Sequence, residues 1–161
     1  MKKITLHTIT VRCGFSLMEL MIVIVIIGIL AAGGVMIFGG GTTKAKIAKS
    51  KEGFSKVVEY IAVEMMSCNM GEAKTMSNNL TCQGRTAGKV VTAAVLATKN
   101  DQMNPYEVQN DAVTSGGNNT ADSDVGYIRL ATSGTDIIVK TCVEVPCSTT
   151  ANQSIKTIPL Q

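Results

Sequence analysis

The chain has 161 residues, a formal net charge of +3 and 17% charged residues, a size that suits one soluble domain with a modest core. So small a positive excess argues against a nucleic-acid binder, whose domains are usually far more basic. His7 is the one histidine, and without a glycine-rich phosphate loop or zinc-like Cys/His spacing there is no recognisable constellation for catalysis, a cofactor or a metal.

Residues 1–14 form a short polar leader that carries Lys2, Lys3 and Arg12 and ends in Gly14. An apolar run follows from Phe15 to Phe38, interrupted by a single acid, Glu19. At 1.5 Å per residue the run covers about 36 Å of helix, against a hydrocarbon core of about 30 Å. A charge in such a helix costs roughly 2.5–3.5 kcal/mol even on the lenient insertion scale, so Glu19 asks for a cation nearby. A secretory signal places its apolar stretch before the cleavage site, whereas here the small residue comes first. The plain alternative is an uncleaved single-pass anchor with a stray glutamate.

The order Gly14-Phe15-Ser16-Leu17-Met18-Glu19-Leu20, with a basic leader before it and an apolar run after it, resembles the type IV pilin family. That family's leader ends in Gly-Phe-Thr-Leu-Ile-Glu-Leu, from which this chain departs at Ser16 and Met18. The resemblance implies that a prepilin peptidase cuts between Gly14 and Phe15 and methylates the new amine of Phe15. Methylation keeps the positive charge, so that amine is the expected partner of Glu19, in its own chain or in a neighbour. Removing the leader takes away three of the 15 basic residues and leaves 12 against 12 acids. It also removes His7 and Cys13, which leaves the mature chain without an imidazole.

Beyond the apolar run, Ile47, Phe54, Val57, Val58, Ile61, Ala62, Met65 and Met66 recur at spacings of three, four and seven, with Lys44, Lys46, Lys49, Lys51 and Lys56 mostly between them. This predicts an amphipathic helix over 42–66, continuous with the apolar run to give about fifty helical residues. Gly33, Gly34, Gly39, Gly40 and Gly41 each cost about 1 kcal/mol relative to alanine inside a helix. They mark a candidate hinge, with close helix packing through small residues as the alternative. Pilin relatives often carry a proline where this chain has Met36. The lysines after the run match those of the leader, so the positive-inside rule does not set the topology. A cytoplasmic leader follows from the cysteines and the resemblance.

Four cysteines remain after the leader, an even number in an exported domain, which predicts two disulfides. Three connectivities are open. The expected pairs are Cys68–Cys82 and Cys142–Cys147, each closing a short local loop. Periodicity fades over 69–102 except at 90–97, whose alanines favour a short helix over a strand. Asn104-Pro105-Tyr106 predicts a turn, and similar motifs occur in pilins and in type II secretion pseudopilins. The stretch 114–124 reads as loop; Asn118, Asp122 and Asp124 are oxygen-rich, but no calcium spacing template is met and a solvated loop is the expectation. Val125–Ala131 and Ile137–Val143 predict a hairpin through Ser133-Gly134-Thr135, and 154–160 a third strand that Pro159 places at an edge.

The expected fold is α+β: a long N-terminal α-helix, apolar in its first half and amphipathic in its second, packed on a small antiparallel β-sheet head. The expected parts are a leader at 1–14, a transmembrane and filament-core half at 15–41, and a globular head at 42–161. The resemblance implies a structural subunit of an extracellular type IV pilus for adhesion, motility or DNA uptake. Its expected partners are its own copies, the prepilin peptidase, the pilus assembly platform and, before assembly, the inner membrane. Charge gives no indication of nucleic acid as a partner. A minor pilin or type II secretion pseudopilin is the nearest alternative, and a membrane-anchored binding module that never polymerises is the alternative of another class.

Overall fold

The first helix, α1 (Leu17–Asn69), spans 53 residues. The structure, a computed structural model, describes residues 16–160, and the side chains of 32–40 lie outside that description. Two compact units divide the chain, Met1–Gly41 and Thr42–Gln161.

In the first unit the described part of α1 presents apolar side chains on every side. Among the described residues no helix is long and apolar enough to cross a membrane. The described apolar side chains end at residue 31, about 22 Å of helix, short of the roughly 30 Å a bilayer core requires. The rest of the apolar run, 32–38, falls where side chains are not described. Gly33, Gly34, Gly39 and Gly40 fall there too, within helical backbone. Gly41 is described, and a methyl group on it would meet nothing within 4 Å.

In the second unit the remaining turns of α1 bury one stripe. Val57, Ile61, Met65 and Cys68, spaced by four, four and three, are at most 7% exposed, which places them on one face of a 3.6-residue helix. They share a core with α2 (Ala87–Thr98) and the sheet. The side-chain oxygen of Thr86 caps α2 by accepting from the Lys89 N–H at 3.4 Å, satisfying one of the amides that a helix start leaves unpaired. Val90, Val91, Ala93 and Ala94 make up much of its buried face, so residues 90–97 are helical as their alanines predict. Ala62 and Met66, read from the sequence as part of the buried stripe, instead stay exposed.

A two-stranded ribbon, β1 (Lys74–Thr75) and β2 (Leu80–Thr81), precedes α2. The main sheet has the order β3-β4-β5-β6, built from β3 (Val113–Ser115), β4 (Ile128–Ser133), β5 (Asp136–Cys142) and β6 (Gln153–Ile158). β4 and β5 form the expected hairpin, with Ser133 opposite Asp136 and Leu130 opposite Val139. β6 pairs antiparallel with β5 as an edge strand that stops before Pro159. Ile128, Leu130, Ile137 and Val139 point into the core, while Arg129, Ala131, Ile138 and Lys140 alternate onto the half-buried outer face. Burial of one face and partial solvation of the other explains the period-two pattern.

The α+β fold with a small, mainly antiparallel sheet is as expected: β4, β5 and β6 pair antiparallel, and β3 joins the edge parallel to β4, with Val113 opposite Ile128. Three residues, two of them hydroxylic, are too short and too polar to carry a strand period, so in the sequence Thr114 and Ser115 read as loop. The predicted strand at 125–131 starts three residues later, and Val125 makes only an isolated bridge with Cys142.

The Asn104-Pro105-Tyr106 turn fixes the approach to β4. Asn104, fully buried, donates from Nδ2 to the Val125 carbonyl at 3.1 Å and accepts from the Tyr106 N–H at 2.8 Å. Gly126 lies against it at φ +80°, where an added Cβ would sit 2.1 Å from Asn104 Oδ1. Gly134, in the β4–β5 turn at φ +61°, has open space around it. Both sites favour glycine on backbone grounds, by about 1 kcal/mol, but only Gly126 adds a steric clash. Gly126→Ala is therefore expected to destabilise the head by at least about 2 kcal/mol more than Gly134→Ala in urea unfolding; equal losses would contradict the close approach.

Candidate functional site

The start of α1 combines a cap, an acid and an uncovered apolar surface. Ser16 precedes the first helical residue; its Oγ accepts from the Met18 N–H at 3.3 Å and its carbonyl from the Leu20 N–H at 3.2 Å. Ser16 and Glu19 stand in the Ser-x-x-Glu order of a helix start, a signal present in the sequence but not singled out there. Glu19 lies in the first turn, where the positive end of the helix dipole favours a carboxylate. It is exposed, and no salt bridge to it occurs among the described residues. Gly14 and Phe15, the expected cleavage and methylation residues, lie outside the described residues.

Around Glu19, twelve large apolar side chains from Leu17 to Leu30 are 44–77% exposed. Leaving twelve such side chains in water, at about 1.5–3 kcal/mol each for full burial, forgoes on the order of 20 kcal/mol. That exceeds the 5–15 kcal/mol of net stability typical of a whole domain. Such a surface demands an apolar environment.

The head is stapled where its loops meet. The structure joins Cys68 to Cys82 and Cys142 to Cys147, with Cα separations of 5.3 and 5.5 Å, within the ordinary range for a disulfide. Cys68 belongs to the last turns of α1 and Cys82 follows β2, so the first bridge fastens the ribbon to the helix. Cys142 ends β5, and the Cys147 N–H donates to Asp122 Oδ1 at 2.7 Å. Tyr106 donates its hydroxyl to the Val143 carbonyl at 2.6 Å, and Lys46 Nζ stands 5.3 Å from the centroid of the Tyr106 ring.

The carboxylates of the oxygen-rich loop are engaged by the protein itself. Besides Asp122 on the Cys147 amide, Asp124 pairs with Arg129 at 2.7 Å and accepts from the Ala121 N–H at 3.3 Å. Arg129 also donates to Thr114 Oγ1 at 3.1 Å and lies 5.1 Å from the centre of the Tyr127 ring. Among the described residues no group of three His, Cys, Asp or Glu side chains is placed to hold a metal ion.

All three tyrosines hold their protons more tightly than a solvated phenol. The Tyr127 hydroxyl donates to Glu107 at 2.7 Å, and this bond, with burial second, raises its pKa while lowering that of Glu107. Burial first and a neighbouring carboxylate second, Glu64 and Glu144 respectively, raise Tyr60 and Tyr106. A phenol whose folded pKa exceeds its unfolded value keeps its stabilising contribution below pH 10 and loses it as pH rises above that. Spectrophotometric titration should find all three phenols ionising above pH 10, with urea stability falling over the same interval; one phenol titrating at or below 10 would contradict the packing. The two disulfides close loops of 14 and 5 residues, for which chain entropy predicts about 3 and about 2 kcal/mol. Cys68→Ala with Cys82→Ala is expected to cost more in urea unfolding than Cys142→Ala with Cys147→Ala; the reverse order would contradict this ranking.

Residues 10–35 match the prokaryotic N-terminal methylation motif. The match contains Gly14, Phe15, Ser16 and Glu19 and ends within the apolar run. No curated protein and no solved structure matches the chain. The chain therefore carries the type IV prepilin signature, by which type IV pilin-like and pseudopilin proteins are recognised.

Proposed function

We propose that the chain is the structural subunit of a type IV pilus, processed at Gly14–Phe15, N-methylated on Phe15 and polymerised into an extracellular fibre for adhesion, motility or DNA uptake. The observation that carries this reading is the uncovered apolar surface of residues 17–30 with one carboxylate set in it. Two environments satisfy such a surface, a bilayer and a bundle of copies. Residues 15–38 have the length to wait in the inner membrane, and a head-to-tail contact that does not close into a ring then builds a fibre. The prepilin peptidase and an assembly platform are the partners this route requires.

Within the bundle Glu19 has a specific task. An unpaired carboxylate in a low-dielectric core is costly, and the methylated amine of Phe15 on a neighbouring copy is a cation of the right sign at the right end of the helix. Pairing the two fixes the axial register of an incoming subunit. Stacking of any apolar helix would tolerate many registers; the ion pair selects one.

Glu19→Ala is expected to permit membrane insertion and leader removal but to reduce surface fibres by at least about tenfold, counted by electron microscopy of sheared material and by immunoblot. Wild-type fibre yield from the alanine variant would contradict the pairing. Cleaved subunit that is abundant in the membrane and never reaches surface fibres, even in the unsubstituted chain, would favour the minor pilin or pseudopilin reading.

A further inference from the structure

At the end of α1, Ala62, Met66 and Met70 rise from the helix on one side of a groove, and Pro159, just past β6, stands on the other. Met65 and Ile158 form its floor, 5% and 8% exposed, while Met66 and Met70 are 62% and 71% exposed. The cavity measures about 510 Å³, and no charged side chain lines it. Asn69, the polar residue of its lining, has its side-chain carbonyl engaged by Arg85 at 2.5 Å. Val63, 56% exposed, extends the apolar surface along the same turns of the helix. The core stripe of α1 does not need Ala62, Val63, Met66 or Met70, so their apolar character is unexplained by folding.

We propose that this groove is the seat for residues 17–30 of a second copy of the chain, an inference that rests on the fibre reading above and names one contact within it. The groove and the segment complement each other in chemistry. From Leu20 to Leu30 the segment carries no charge, and it presents large aliphatic side chains with no cover among the described residues. Methionines adapt their shape to such an occupant because they are unbranched and polarizable, and the small Ala62 lets a helix approach closely. Like-charge repulsion between copies is small, since the mature side chains sum to zero.

The symmetry of the contact also favours this occupant. Segment and groove are different surfaces of one chain, so seating one copy leaves the first copy's segment and the second copy's groove open for further copies. A groove-to-groove pairing would close a dimer and leave every apolar segment uncovered. The seat therefore propagates, whereas the self-complementary contact does not.

The test places a benzophenone amino acid at position 66 of the full chain, and separately at position 70, in cells that mix light and heavy-isotope copies. Irradiated, sheared fibres are digested and the crosslinked peptides mapped, with position 108, 73% exposed and outside the groove, as control. The expected result is light-to-heavy crosslinks from 66 and 70 into residues 17–30, absent from 108. Fibres that form normally, with crosslinks from 66 and 70 confined to heads or absent, would overturn the seat and leave the fibre reading standing. An unsubstituted chain that makes no fibres would overturn both. Because a bulky label can itself block assembly, Met66→Glu and Met66→Leu provide a second readout. The glutamate variant is expected to lose about tenfold or more of fibre yield with cleavage and disulfide content unchanged, and the leucine variant to keep it; equal yields from the two would overturn the seat.

Discussion

An apolar surface left without cover among the described residues dominates the energetics of this chain. Residues 17–30 expose twelve large aliphatic or methionine side chains, and the energy at stake, on the order of 20 kcal/mol, is larger than the net stability of most domains. Cover for that surface has to come from an apolar environment beyond the described residues.

The second unit is held together by one core and two disulfides. Its core draws on four turns of α1, the buried face of α2 and one face of a four-stranded sheet. A disulfide at each end of that core restrains the segments with the least regular structure. Asp122, Asp124 and Arg129 draw the loop before β4 onto β3 and the second disulfide, and Asn104 occupies the space that Gly126 leaves open. These polar contacts connect segments far apart in sequence and fix geometry more than they add stability, since partly exposed ion pairs contribute modestly.

The long first helix was legible because apolar periodicity over many residues is a strong signal, and the β4–β5 hairpin because β-branched alternation on either side of Ser-Gly-Thr is another. The two cysteine pairs the structure joins are those that close the shortest loops. The parallel strand β3 was not legible: three residues, two of them hydroxylic, have no period to read, and parallel pairing is decided by the chain's return path. The α1 stripe was only half legible, because Val57, Ile61 and Met65 bury themselves while Ala62 and Met66, with similar character and spacing, do not. Hydropathy alone cannot tell an apolar side chain that its own fold covers from one that it leaves exposed. At the start of α1, Glu19 stands out by its chemistry alone, whereas the capping role of Ser16 depends on where the helix begins.

The measurement that bears most directly on the central claim is the mass of the N-terminal peptide of subunits recovered from sheared surface fibres. The expected peptide begins at Phe15 and carries one added methyl group on its amine, the cation for Glu19. A peptide that begins at Met1, or fibres that lack this chain altogether, would contradict it.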